Sequence, residues 1–222
     1  MQNLPNQFNV YDVLSYLIPG FIAICLMLLF LGNIFNISNI SNILNSPLTI
    51  IAIIPISFVA GIIFHEFSNI FEKFIVQKPS EKILLQNCHL LTSEEIEFSC
   101  QEARDFFKLK FEEIKPKDSH NIYCLFRSAL KEYSNKPEFI EAELYNIYYG
   151  LARNLFAIFL FYTVLFLVFS FNNESGINYI LIVIILFILT LLMYRRVNRF
   201  AQYHVVGIFR AYLQSRRFQD GK

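Results

Sequence analysis

Between Val13 and Phe64 the chain has no Asp, Glu, Lys or Arg, and between Asn154 and Tyr194 it has only Glu174. Glycine is also scarce: none occurs between Gly61 and Gly150. The missing charges exclude an ordinary soluble enzyme and a disordered chain, since both need solvated polar residues throughout. The missing glycines exclude a P-loop or a Rossmann loop from the middle of the chain, because those loops use glycine to bring backbone N–H groups to phosphate. No Gly-x-Ser-x-Gly elbow is present. His65-Glu66 opens like a zinc-protease motif, but the position that needs His is Asn69. Cys88, His89, Cys100, His120 and Cys124 are the residue types of a zinc site, yet no Cys-x-x-Cys pair exists. Ordinary buried cysteines are the expectation. No catalytic residue, metal or cofactor is expected.

What the chain has instead is apolar length. Of its 222 residues 55% are hydrophobic and 17% charged, with mean hydropathy +0.43. Average soluble domains are about 45–50% apolar and about 25% charged. The net charge of +1 gives no nucleic-acid signature. Four stretches approach the roughly 20 apolar residues that cross a bilayer: 13–34, 48–66, 154–171 and 177–194. Their apolar runs are continuous rather than alternating, which argues against a β-barrel. Short polar loops join the first two and the last two. The expected fold is therefore an all-α membrane protein: four transmembrane helices in two hairpins (13–66 and 151–194), with a small helical cytoplasmic domain, 67–150, between them.

Lys and Arg set the expected orientation. Twelve lie between Lys73 and Arg153 and seven follow Tyr194, with none in either hairpin loop. The positive-inside rule puts residues 67–150 and the tail 195–222 in the cytoplasm, and four spans then place the N-terminal segment 1–12 there as well. A signal peptide fits span one poorly, because residues 1–12 hold no Lys or Arg and the apolar run is too long.

The middle segment reads as helical. Thr92-Ser93-Glu94-Glu95 is a capping-box pattern, followed by Ile96, Cys100, Ala103, Phe107 and Phe111 on one face. Ile122, Leu125, Phe126, Ala129, Leu130 and Tyr133 form a second stripe. Ile140, Leu144, Ile147, Tyr148 and Leu151 form a third, which predicts one helix from about Pro137 into span three. The tail carries Val197, Phe200, Ala201, Val205, Ile208, Phe209 and Tyr212 on one side. Its basic patch is Arg195, Arg196, Arg199, Arg210, Arg216 and Arg217. That helix either packs on the acidic bundle or lies on anionic lipid. Plain anchoring of span four accounts for the first three arginines.

Inside the spans, Pro19 beside Gly20, and Pro55, are expected to kink or loosen their helices. Ser57 and Gly61 form a small-xxx-small pair, suited to internal packing or to a subunit contact. The phenylalanines of span three suit lipid or an oligomer seam. Without ionisable residues the spans lack what proton relays and ion-coupled transporters require. A passive pore gated by dewetting stays open. At the entry to span three, Gly150 reads as a hinge or packing point. Arg153 and Asn154 read as membrane-interface coupling residues, with simple anchoring as the alternative.

Three patches carry a resemblance: Tyr11-Asp12-Val13-Leu14-Ser15-Tyr16-Leu17-Ile18-Pro19-Gly20, then Tyr148-Tyr149-Gly150-Leu151-Ala152-Arg153-Asn154-Leu155, then Arg199-Phe200-Ala201-Gln202-Tyr203 with Phe209-Arg210-Ala211-Tyr212. With the four-span layout they resemble small four-pass bacterial membrane proteins of anti-phage defence systems, with a plan similar to the membrane subunits of Kiwa systems. The resemblance implies an oligomeric inner-membrane sensor or effector that couples a cytoplasmic signal or soluble partner to the membrane, possible output being a pore. It implies no catalytic residue. A non-conducting scaffold that recruits a soluble protein is the alternative. A membrane-embedded enzyme would need an interfacial polar cluster, for which His65, Glu66 and Asp12 are the candidates.

Overall fold

The computed structural model describes residues 12–35, 47–75, 80, 90–107, 116–130, 137–171 and 176–220. A π-helical turn, Val13–Leu17, leads into α1, Ile18–Phe35. There follow α2, Pro47–Ile75; α3, Ser93–Phe107; α4, Pro116–Leu130; α5, Pro137–Ser170; and α6, Gly176–Asp220. Among the described residues there is no strand. Four helices are long and apolar enough to cross a membrane, within Val13–Gly32, Ile51–Glu72, Phe139–Ser170 and Tyr179–Gln214. The chain is an all-α membrane protein. The N-terminal segment and both hairpin loops lie outside the described residues.

The chain divides into two compact units. The first comprises Met1–Ile75 and Gly150–Val197, the second Val76–Tyr149 and Asn198–Lys222. The tail therefore does not stand apart as 195–222. From Asn198 onward it belongs with the middle segment, because its apolar face fills that unit's core.

In the first unit the third span is the most enclosed: 56% of its apolar stretch is buried, against 28%, 17% and 17% for the others. Aromatic rings surround it. Phe30 meets Phe166 and Phe169 edge-on at 5.2 and 5.3 Å, and Phe64 meets Phe161 at 5.7 Å. Phe156, Phe159 and Phe166 are buried, so half of the span-three phenylalanines serve internal packing, while Phe161 and Phe171 are exposed. The buried Tyr162 hydroxyl donates to the Ala23 carbonyl at 2.8 Å. Rows of isoleucine and leucine on α2 and α6 are exposed, as lipid-facing surfaces require.

Small residues govern how α1 meets α2. A Cβ on Gly20 would lie 1.7 Å from the Ser57 carbonyl oxygen, and one on Gly61 would lie 2.0 Å from the Tyr16 carbonyl oxygen. The Ser57/Gly61 pair is thus occupied inside this chain, with Pro19 and Gly20 buried at the same crossing. Pro55 lies inside α2 and is exposed.

The second unit has a core of packed apolar side chains. The expected capping box opens α3: Thr92 N donates to Glu95 Oε2 at 2.8 Å, and Glu95 N donates to Thr92 Oγ1 at 3.1 Å. Ile122 and Phe126 of α4 are buried against Val205, Ile208, Phe209 and Tyr212 of α6. Phe126 stacks on Tyr212, with centroids 4.0 Å apart and planes 5° from parallel. Most of the apolar side predicted for the tail is the buried side. The third stripe is not: Ile140, Leu144 and Tyr148 are exposed, and α5 enters this core through Ala142 and Phe139. Ala142 is chosen because Gly207 crosses it closely; a Cβ on Gly207 would lie 3.1 Å from the Ala142 Cβ.

Candidate functional site

A buried polar junction lies at one end of the first unit, and proline chemistry explains how it starts. In an α-helix the carbonyl of residue i accepts from the N–H of residue i+4. Pro19 has no N–H, so the Ser15 carbonyl loses that donor. The chain relaxes into the π turn Val13–Leu17, where Ile18 N donates to the Val13 carbonyl. The Ser15 carbonyl is then taken by Asn154, whose Nδ2 donates to it at 2.6 Å.

Asn154 is fully buried and uses both ends of its amide. The Ser68 hydroxyl lies 2.7 Å from Asn154 Oδ1 and 2.7 Å from the His65 carbonyl, so its single hydrogen is shared between two acceptors. Asn154 Nδ2 also reaches His65 Nδ1 at 3.3 Å. An amide N–H only donates, so this ring nitrogen is the acceptor. One side chain of α5 therefore pins the start of span one and the far end of α2. Such groups are costly to bury unpaired, and pairing all of them fixes one arrangement of the three helices.

Arg153 stands beside it. Its Nη1 is hydrogen-bonded and ion-paired to Glu72 Oε2. Its Nη2 lies 3.3 and 3.4 Å from the two ring nitrogens of His65. The Arg153 side chain is 10% exposed and that of Glu72 37%, so the pair runs from the interior to the surface. Tyr16 closes the other side, its ring edge-on to His65 at 5.0 Å. Arg153 is thus turned inward and held by protein groups. The Ser15 and Ser57 hydroxyls are buried nearby without a hydrogen-bond partner among the described residues.

The arrangement holds no nucleophile beside a base and no pair of carboxylates. Asn154, Ser68, His65, Arg153 and Glu72 bond to one another or to backbone carbonyls, which suits positioning. Gly150 is buried within α5, whose helix is unbroken through it. Of the basic patch, Arg195, Arg196 and Arg199 are exposed. Arg210 Nη2 donates to the Leu90 carbonyl at 2.7 Å, and its Nε lies 3.4 Å from Glu95 Oε1. The side chains of Arg216 and Arg217 lie outside the described residues, as do Cys88 and His89. Cys100 is buried, and Cys25 and Cys124 are exposed, with Cys124 Sγ 3.6 Å from His120 Nε2.

Ser68 and Glu72 are the members that sequence reading missed. Their signal was available: His65, Ser68 and Glu72 fall at i, i+3 and i+7, one face of a helix. That polar set begins where the mainly apolar stretch of α2 ends, at Phe64. No protein-family profile, curated protein or solved structure matches the chain.

Proposed function

We propose that the protein is an oligomeric inner-membrane sensor or effector of a bacterial anti-phage defence system. In this reading both termini and the second unit are cytoplasmic, a soluble protein or signal engages that unit, and the response is a pore or altered permeability. One observation carries the coupling: Asn154 sits in an unbroken helix, Pro137–Ser170, and its amide bonds to Ser15 and Ser68 tie that helix to two other spans. A change of α5 that withdraws Asn154 strands several buried polar groups at once, so the junction favours discrete arrangements over a continuum.

The test is native mass spectrometry of the complex extracted with its lipids and co-purifying proteins, followed by liposome flux with that complex. An oligomer that conducts, and whose conduction changes in Asn154→Leu, supports the reading. A strict monomer that is inert with its partner present overturns it.

A second reading, a non-conducting scaffold that recruits a soluble protein, is favoured by the filling of the first unit. Its interior is packed by Phe30, Phe159, Phe166 and Tyr179, leaving apolar contacts where a channel through one copy would need a polar path. Loss of protection on replacing Pro19, Pro55 or Gly61, with partner capture intact, separates the effector from the scaffold.

A further inference from the structure

The second unit contains a cavity of about 570 Å³ that the polar junction does not touch. Its size falls within the roughly 300–1,000 Å³ of small-ligand sites. It lies over the close crossing of α5 and α6, where Ala142 and Gly207 bring the backbones together and leave no bulk of their own. Longer side chains rise around this floor. Tyr145 and Tyr203 form an aromatic corner, with centroids 5.5 Å apart and planes at 60°. Glu141 and Gln214 are exposed at the rim and make no hydrogen bond or ion pair among the described residues. The two tyrosine hydroxyls likewise have no hydrogen-bond partner among those residues.

Charge decides what would fit. Arg210 also lines the cavity, but its guanidinium is engaged by the Leu90 carbonyl and the Glu95 carboxylate. Among the described residues Glu141 is left as the charge without an ion-pair partner. A carboxylate beside an aromatic corner selects a cation, since a tyrosine ring face and the carboxylate act with the same sign. The apolar floor favours a cation carried on an apolar stem. We infer that this cavity binds an organic cation, an ammonium or guanidinium on an apolar body, with Glu141 as counter-ion and Tyr145 and Tyr203 as the aromatic walls. Such a group comes either from a free amine or from a basic side chain of a peptide, and the chemistry at Glu141 is the same for both. The site stands whether or not the protein acts in defence.

The experiment uses the full chain in lipid nanodiscs, with calorimetry and ligand-observed NMR. The probes are phenethylammonium as a free amine, a capped arginine peptide as a side chain, and 3-phenylpropionate as the anionic counterpart of the first. At least one cation is expected to bind saturably, and the anion at least tenfold more weakly. Glu141→Gln is expected to weaken the cation tenfold or more without moving the thermal midpoint, because Glu141 is exposed and unpaired. Tyr203→Ala, checked for an unchanged helical spectrum, is expected to weaken it several-fold. Preference for the peptide assigns the site to a basic side chain, and preference for the amine to a free ligand. Equal binding of the anion, unchanged affinity in Glu141→Gln, or no saturable binding by either cation overturns the inference.

Discussion

The two units of this chain are held by opposite chemistries. In the second, apolar side chains make the core: Phe126, Ile122, Phe209 and Ile208 are buried, and the polar groups sit at its edge in a helix cap and ion pairs. In the first, apolar side chains face outward as freely as inward, and beside its buried aromatic rings the interior holds glycine, serine, asparagine and a buried arginine. Solvent explains the inversion. In water, removing apolar surface is the main driving force. Between lipid tails that force vanishes, because the tails are as apolar as leucine, and close backbone contact and polar pairing must give the specificity. Substitutions should therefore have opposite rankings in the two units, with glycines and Asn154 dominant in one and aromatics in the other.

The largest effect is expected at Gly61 and Gly20. A leucine at either position meets backbone atoms of the facing helix that cannot swing aside. Gly61→Leu should prevent α1 and α2 from meeting and leave little folded protein in detergent. Gly61→Ala should show the same direction at a measurable level. Thermal unfolding followed by loss of the helical circular-dichroism signal checks both; unchanged midpoints would refute the close approach.

Phe126→Ala comes next, and it probes the other unit. Removing a fully buried phenylalanine costs about 3–5 kcal/mol. It also deletes the stacked contact with Tyr212. Denaturant unfolding of the full chain should show destabilisation confined to the second unit, read by protection of α4 and the far part of α6 in hydrogen exchange. A leucine-for-phenylalanine exchange at the exposed Phe161 should do much less.

Asn154→Leu ranks third and tests the inversion most directly. In a purely apolar core this change would add burial and stabilise. Here it strands the Ser15 carbonyl and removes one of the two acceptors of Ser68. Individual polar contacts between membrane helices average about 0.6 kcal/mol, so losing this set should cost about 1–2 kcal/mol. Asn154→Gln, which keeps the amide on a longer stem, should recover only part. Steric-trap or thermal measurements that find Asn154→Leu as stable as the parent would remove the junction's structural role.

The sequence already contained the parts that depend on near neighbours. Hydropathy is local, so the four spans were legible, as was the helix running on from Pro137. The capping box needs only Thr92 and Glu95, and the buried side of the tail follows from 3.6-residue periodicity. The junction was legible only in pieces. Pro19 announces a missing donor, but nothing near it announces that Asn154, 135 positions later, supplies the replacement. The Ile140, Leu144 and Tyr148 stripe shows the opposite failure. Its periodicity is helical and apolar, yet the close crossing at Gly207 selects Ala142, and a small residue leaves no mark in a hydrophobic pattern. Arg153 reads from the sequence as a coupling residue or a plain anchor, and nothing near it names its partner; Glu72, 81 positions away, turns it inward.

The smallest expected effect lies in the second unit and depends on pH. His204 lies past the arginines that end the fourth apolar stretch, and it is buried beside that unit's apolar core. Its Nδ1 is 2.9 Å from the Ala142 carbonyl, so it carries the hydrogen, and Nε2 accepts from the Tyr123 hydroxyl at 2.8 Å. Burial holds its pKa below the ordinary 6.5, and the nearby Arg127 pushes the same way, against the Ala142 hydrogen bond and Glu143. A histidine with a lowered folded pKa binds fewer protons folded than unfolded. Its contribution to stability is therefore complete above about pH 6.5 and falls as the pH drops from there through the lowered folded value. Protonation also places a hydrogen on Nε2, where the Tyr123 hydroxyl now donates, so the hydroxyl must turn. The thermal midpoint of the second unit should drop between pH 7.5 and 5.5, and His204→Gln should flatten that slope while lowering the midpoint at pH 7.5. An equal slope in the variant would assign the acid sensitivity to the carboxylates instead, and the core of this unit would then carry no titrating group of its own.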